Sequence, residues 1–109
     1  MSEDDRPEID AHEAARSLGA GVVLIDVREP DEYAEVHATG ARLLPLSDLT
    51  NRADEVPRDQ PILLICRSAA RSANAARWLN DRGASATNVA GGTLAWVEAG
   101  LPTSTGPLA

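Results

Sequence analysis

Two short runs, Val22-Val23-Leu24-Ile25-Asp26-Val27 and Ile62-Leu63-Leu64-Ile65, limit the fold of this chain more than any other feature. Both are nearly free of polar residues, rich in β-branched ones and too short for a core helix. A strand that is apolar on both faces must be covered on both faces, which is the condition of a central strand in a parallel sheet. The segments around these runs read as helices. Asp10 is a candidate N-cap for a helix over Ala11 to Leu18, with Glu13 at the capping-box position and Gly19 and Gly21 beyond its end. Pro30 suits the first position of a short helix reaching about Val36. Ala41 to Leu44 can form a strand closed by Pro45, and Ser47 or Asp48 can cap another short helix before a polar loop. Ser72 to Arg82 carries the strongest helical pattern: its alanines, Trp78 and Leu79 fall on one face, Arg77 and Asp81 on the other, and Gly83 supplies a stop. Ala86 to Ala90 reads as a weaker strand, and Gly91-Gly92 turns into a last helix through Ala99. Strands that alternate with helices predict an α/β domain: a central, mainly parallel sheet of about five strands with helices on both faces.

Ligands of such sheets bind beyond the carboxyl ends of the strands. Asp26 ends one apolar run and Cys66 follows the other, so both fall on the same sheet edge. Cys66 is the chain's sole cysteine. A lone cysteine is by itself more often a small buried hydrophobe than a nucleophile. Here it opens the loop Cys66-Arg67-Ser68-Ala69-Ala70-Arg71-Ser72, between a buried strand and a helix start. Unpaired amides, the positive end of the helix dipole and two arginines all favour the thiolate, the nucleophilic form.

The rest of the composition removes alternatives. The chain has 109 residues and a net charge of −7, which fits one soluble domain and argues against nucleic acid or an anionic membrane as partner. All ten basic residues are arginines, so lysine chemistry is excluded. A single cysteine forms no internal disulfide and anchors no metal cluster, and a free thiol favours a reducing compartment, the cytoplasm. Met1 to Asp10 is acidic and polar, without the apolar stretch of a signal peptide or membrane span. Residues 1–8 are expected to be a flexible acidic start, residues 9–103 the folded domain and residues 104–109 a flexible tail.

Three segments carry a resemblance. The loop Cys-Arg-Ser-x-x-Arg-Ser at residues 66–72 is similar to the active-site loop of the rhodanese (sulfurtransferase) family. Asp26-Val27-Arg28-Glu29-Pro30-Asp31-Glu32-Tyr33, then His37, Gly40-Ala41 and Pro45, resembles the family's upstream signature. Val89-Ala90-Gly91-Gly92-Thr93-Leu94-Ala95-Trp96, with Gly100-Leu101-Pro102, resembles its closing signature. In order and spacing these span almost the whole chain. The family usually has glycine where this chain has Ala69, and often glycine before its histidine, where Val36 stands here. If position 69 needs a positive φ, alanine is strained there by roughly 1 kcal/mol.

The resemblance implies a rhodanese-like fold and a sulfur transfer without cofactor or metal. A Cys66 thiolate takes sulfane sulfur from an anionic donor such as thiosulfate, and the persulfide passes it to cyanide, a small thiol or an acceptor protein. The residues support each part. Backbone amides of residues 67–71, that is Arg67, Ser68, Ala69, Ala70 and Arg71, can form an anion-binding concavity, and Arg67 or Arg71 offers a forked donor. Asp26 is a candidate to orient the loop, by accepting from it or from Arg71, or equally to cap local backbone. Arg28 and Glu32 are expected to pair, His37 and Trp96 to be structural, and His12 to face solvent. Two competing readings remain. A cysteine-dependent phosphatase shares the plan but places five residues between cysteine and arginine, against four here. A sulfur-carrying, sensing or docking module without turnover would keep the same fold.

Overall fold

The computed structural model describes residues 8–107. The amino-terminal segment 1–7 and residues 108–109, expected to be flexible, lie outside this range. In chain order the elements are β1 (Glu8–Ile9), α1 (Ala11–Gly19), β2 (Val23–Asp26), α2 (Pro30–Glu35), β3 (His37–Ala38), β4 (Arg42–Leu43), α3 (Leu46–Arg52), β5 (Pro61–Ile65), α4 (Ala70–Asn80), β6 (Ser85–Val89), α5 (Gly92–Glu98) and β7 (Thr103–Ser104). Five strands form one sheet in the order β1-β6-β5-β2-β4, and every pair in it is parallel.

The continuous apolar runs are explained by what lies on each side of this sheet. Successive side chains of a strand point to opposite faces. Ile25, Ile62 and Leu64 pack with Leu49 of α3 and Ala76 and Leu79 of α4. Leu24, Leu63 and Ile65 pack with Ala14 of α1, Tyr33 of α2 and Trp96 of α5. Each face therefore has its own apolar cluster, and both include strand residues of β2 and β5. Trp96 is fully buried, with its indole N–H donating to the Pro102 carbonyl at 2.7 Å, which ties α5 to the segment leading into β7.

The expected caps divide. The Asp10 carboxylate accepts from the Glu13 amide at 2.8 Å, but the Glu13 side chain turns to Arg16 instead of closing the box. Neither Ser47 nor Asp48 caps α3, which follows Pro45 directly; the Ser47 hydroxyl reaches Glu29, and the Leu46 amide is held by the Val27 carbonyl at 3.0 Å. The strongest helix begins at Ala70 and ends at Asn80, before Arg82, because residues 81–83 form a turn completed by Gly83 at φ +94°.

Two edge pairings went beyond the sequence expectation. Glu8, placed in the acidic start, pairs with Asn88 in β1, and Ser104, placed in the tail, pairs with His37 in the antiparallel couple β3–β7. Two-residue strands carry no periodicity, so only the tertiary pairing defines them.

A buried ion pair closes the carboxyl end of β2. Asp26 is fully buried and Arg28 is 4% exposed. The Asp26 carboxylate accepts from the Arg28 backbone amide at 3.0 Å and from its guanidinium at 2.8–3.1 Å, while Arg28 also donates to the Val36 carbonyl at 2.6 Å. The expected Arg28–Glu32 pair is therefore not formed. Arg28 instead spans from β2 to the end of α2. Removing one partner of such a pair strands the other charge without its counterion. Asp26→Ala should lower the unfolding free energy by about 3–5 kcal/mol, measured by urea denaturation. A loss under about 1 kcal/mol would mean that Arg28 finds water or another acceptor.

Candidate active site

Cys66 follows β5 directly and is 1% exposed. Its Sγ receives the Ala69 amide at 3.1 Å and the Ser72 amide at 3.3 Å, and the Ser72 hydroxyl lies 3.2 Å away. Convergent donors of this kind suit an anionic sulfur. The loop adopts this curl because its carbonyls are taken on the other side. The Thr93 amide donates to the Cys66 carbonyl at 2.7 Å, and the Leu94 amide donates to the Arg67 carbonyl at 3.1 Å. Between them sits Gly92 at φ +59°, where a Cβ would lie 2.5 Å from the Cys66 oxygen and 2.6 Å from the Arg67 oxygen. Only glycine lets the start of α5 approach the loop so closely.

Ala69 is the one non-glycine residue of positive φ among the described residues, at +100°. It turns the chain from the loop into α4 while its amide points at the sulfur. The strain anticipated for alanine at this position is thus present.

Of the loop side chains, Arg67, Ser68 and Ala70 are exposed and Ala69 and Arg71 half-buried. Arg71 does not reach Asp26. It forms a bidentate pair with Glu32, Nη1 to Oε1 at 3.0 Å and Nη2 to Oε2 at 2.9 Å. Asp26 accepts no hydrogen bond from the loop, because Arg28 occupies its carboxylate. The orienting acid is therefore Glu32, which also accepts from the Glu29 amide at 3.0 Å and so joins the start of α2 to the loop. The hydrogen bond from Arg71 pulls the Glu32 carboxyl down to about 2, against the opposing effect of its partial burial. Arg71, raised in turn by Glu32, also feels the charges of Cys66 and Asp26.

His37 is buried, stacks on Tyr33 with ring centroids 3.6 Å apart, and lies 2.7 Å through Nδ1 from the Tyr33 carbonyl. A carbonyl only accepts, so Nδ1 carries the hydrogen and the ring is held as a packing element. His12 is exposed on α1. Two residues to which sequence reasoning gave no role lie at the sulfur or beside it: Ser72, the last residue of the loop, and Asn88, which accepts from the Ser72 hydroxyl. The available signal for Asn88 was an amide side chain near the carboxyl end of a strand of otherwise small residues.

Two outcomes test this geometry. Ala69→Gly should raise the unfolding free energy by up to about 1 kcal/mol by relieving the left-handed alanine, measured by urea denaturation. A loss of stability would show that the methyl group's packing outweighs the strain. The Glu32–Arg71 pair sets a pH window. Glu32 is lower in the folded state than its ordinary value of 4.5, so its contribution is complete above 4.5 and is lost as pH falls towards about 2. The stability difference between the native protein and Glu32→Gln should be constant at neutral pH and shrink across that acid range. A difference that grew on acidification would contradict the pairing.

Most of the chain matches one family. The model of the rhodanese-like domain matches residues 10–99. A sulfurtransferase of Allochromatium vinosum is 36% identical over 98 residues, covering 87% of this chain and 92% of that protein. The uncharacterized protein YqhL of Bacillus subtilis is 43% identical over 74 residues, covering 67% of this chain and 59% of that one. This chain therefore spans nearly all of the sulfurtransferase but only about three fifths of YqhL. Among solved structures, a rhodanese-related protein of Thermoplasma volcanium superposes with a TM-score of 0.85 at 30% identity, covering 90% of this chain and 97% of its own. A cysteine at the end of a parallel strand, wrapped by amides and faced by a glycine-led helix, sits in a chain that belongs to the rhodanese-like domain family.

Proposed function

We propose that this protein is a sulfurtransferase that carries sulfane sulfur on Cys66. The observation that supports it most directly is the convergence of two backbone amides on the sulfur of the only cysteine, at the end of β5, with the Ser72 hydroxyl beside them. The Cys66 thiolate attacks the outer sulfur of thiosulfate; an S–S bond forms to Sγ, the donor's own S–S bond breaks, and its electron pair leaves with sulfite. The terminal persulfide sulfur is then attacked by cyanide, a small thiolate or a protein thiolate, and the electron pair of the broken bond returns to Cys66. Neither half needs a proton shuttle, which agrees with a histidine locked onto Tyr33.

The exposed Arg67 guanidinium is the cation offered to an incoming anion, since Arg71 is already committed to Glu32. With four residues between Cys66 and Arg71, the ring of amides is smaller than in the phosphatase plan, which favours one sulfur over a phosphoryl group.

Mass spectrometry tests the reading. Incubation with thiosulfate should add the mass of one sulfur atom, and cyanide should remove it with formation of thiocyanate. Cys66→Ser should lose both the adduct and the turnover, and the native protein should not hydrolyse aryl phosphates. Turnover surviving in Cys66→Ser would end the proposal, because no second cysteine exists to replace it.

A further inference from the structure

The Ser72 hydroxyl has one hydrogen and three acceptors around it: Cys66 Sγ at 3.2 Å, the Ala69 carbonyl at 3.3 Å and Asn88 Oδ1. Which of them receives the hydrogen depends on how the Asn88 amide is turned. Asn88 is buried on β6, and its Nδ2 lies 3.1 Å from the Glu8 carboxylate on the neighbouring strand β1. An ionised carboxylate only accepts, so it holds the NH2 group of Asn88 towards β1 and leaves the carbonyl oxygen facing Ser72. That oxygen cannot donate, and the hydroxyl must give its hydrogen to it. The sulfur then keeps two backbone amides and loses the hydroxyl hydrogen.

We propose that Asn88, oriented by Glu8, is a positioning residue that captures the Ser72 hydroxyl hydrogen and so restricts the donors available to a Cys66 thiolate. The inference rests on Cys66 being the reacting atom. Its consequence for the reaction follows from where charge sits. While the terminal sulfur is attached, Sγ is a weak acceptor, and the hydroxyl hydrogen stays on Asn88. As the sulfur is handed on, negative charge returns to Sγ while Asn88 holds the hydroxyl hydrogen, so the departing thiolate is met by the two amides alone. Glu8, at the edge of the sheet, thereby influences how readily Cys66 is released as a thiolate, without touching either substrate.

The test reads the thiolate directly, by its ultraviolet absorbance as a function of pH, with the Cys66→Ser signal subtracted. It requires no turnover, so its failure is separable from a failure of sulfur transfer. Glu8→Gln is isosteric and lies at an exposed position. A glutamine can donate to Asn88, whose amide is then free to turn over; its NH2 faces Ser72 and the hydroxyl hydrogen passes to Sγ. The pH at half-development of the thiolate should fall by roughly half to one unit, as expected for one added hydrogen bond to a charged atom. Loss of the Glu8 charge would act in the same direction through space, so the same change is made in a Ser72→Ala background. There the shift should shrink to less than half. Asn88→Leu, which removes the acceptor with little change of volume, should also lower the midpoint. The other charged groups around the loop among the described residues, Arg67, Arg71 of α4 with its partner Glu32 of α2, and Asp26 with Arg28 at the end of β2, are the same in every variant. An equal shift with and without the Ser72 hydroxyl, no shift in Glu8→Gln, or a midpoint that rises in Asn88→Leu would each overturn the proposal.

Discussion

The carbonyls of Cys66 and Arg67 are bound by the first amides of α5, and the geometry of the site depends on that contact. A peptide group has two ends. With these two oxygens fixed towards α5, the loop curls back so that the amides of Ala69 and Ser72 face the sulfur. Gly92 is what permits the approach, since a Cβ there would overlap both oxygens. Ala69 then has to enter the left-handed region so that the chain can rise into α4 with its amide still on Sγ. One tight contact between two βα units therefore dictates a glycine in one and a strained alanine in the other. The strain is small against the packing of β5 and α4 that holds both ends of the loop in place.

The parts of this arrangement that the sequence made legible are those written in local patterns. The two apolar runs predicted central strands because burial on both faces leaves no other use for such residues, and the two clusters flanking β2 and β5 bear that out. Cys66 was identifiable because it joins a strand to a helix. What stayed hidden depends on pairings distant in the chain or on competition between neighbours. Asp26 was a candidate partner for the loop, yet Arg28, two positions away, meets it through both backbone and guanidinium and buries it. That left Arg71 to Glu32, 39 positions upstream, and no local spacing encodes such a contact. Glu8 and Ser104 belong to strands only because Asn88 and His37 lie opposite them. The Ser72–Asn88 contact joins α4 to β6 across the same kind of distance.

Charge is distributed in a way that composition alone would not suggest. The protein is strongly acidic, yet the two acids nearest the loop's elements are each spent on one arginine: Asp26 on Arg28 and Glu32 on Arg71. The first pair is buried and structural. The second is partly exposed and links α2 to the mouth of the loop, where a pair of this kind contributes more to geometry than to net potential. A carboxylate bound to a guanidinium nearly cancels its field a few ångströms away. The positive potential felt by an anion approaching Cys66 therefore comes mostly from the inward-facing amides and from Arg67, whose exposed side chain forms no ion pair among the described residues.

This division gives the two loop arginines different tasks. Arg71 is immobilised, and its bidentate contact fixes the exit of the loop relative to α2, so its loss acts first on the shape of the cradle. Arg67 stands at the rim on a backbone whose carbonyl is already anchored to Leu94, and its long side chain can sweep the entrance without disturbing the amides beneath. The amides that reach Sγ belong to a loop whose first two carbonyls are tied to α5 beside Gly92. The shape of the loop and the placing of its exposed cation are thus set by different contacts, and the shape begins with the two carbonyl oxygens that α5 withholds from the loop.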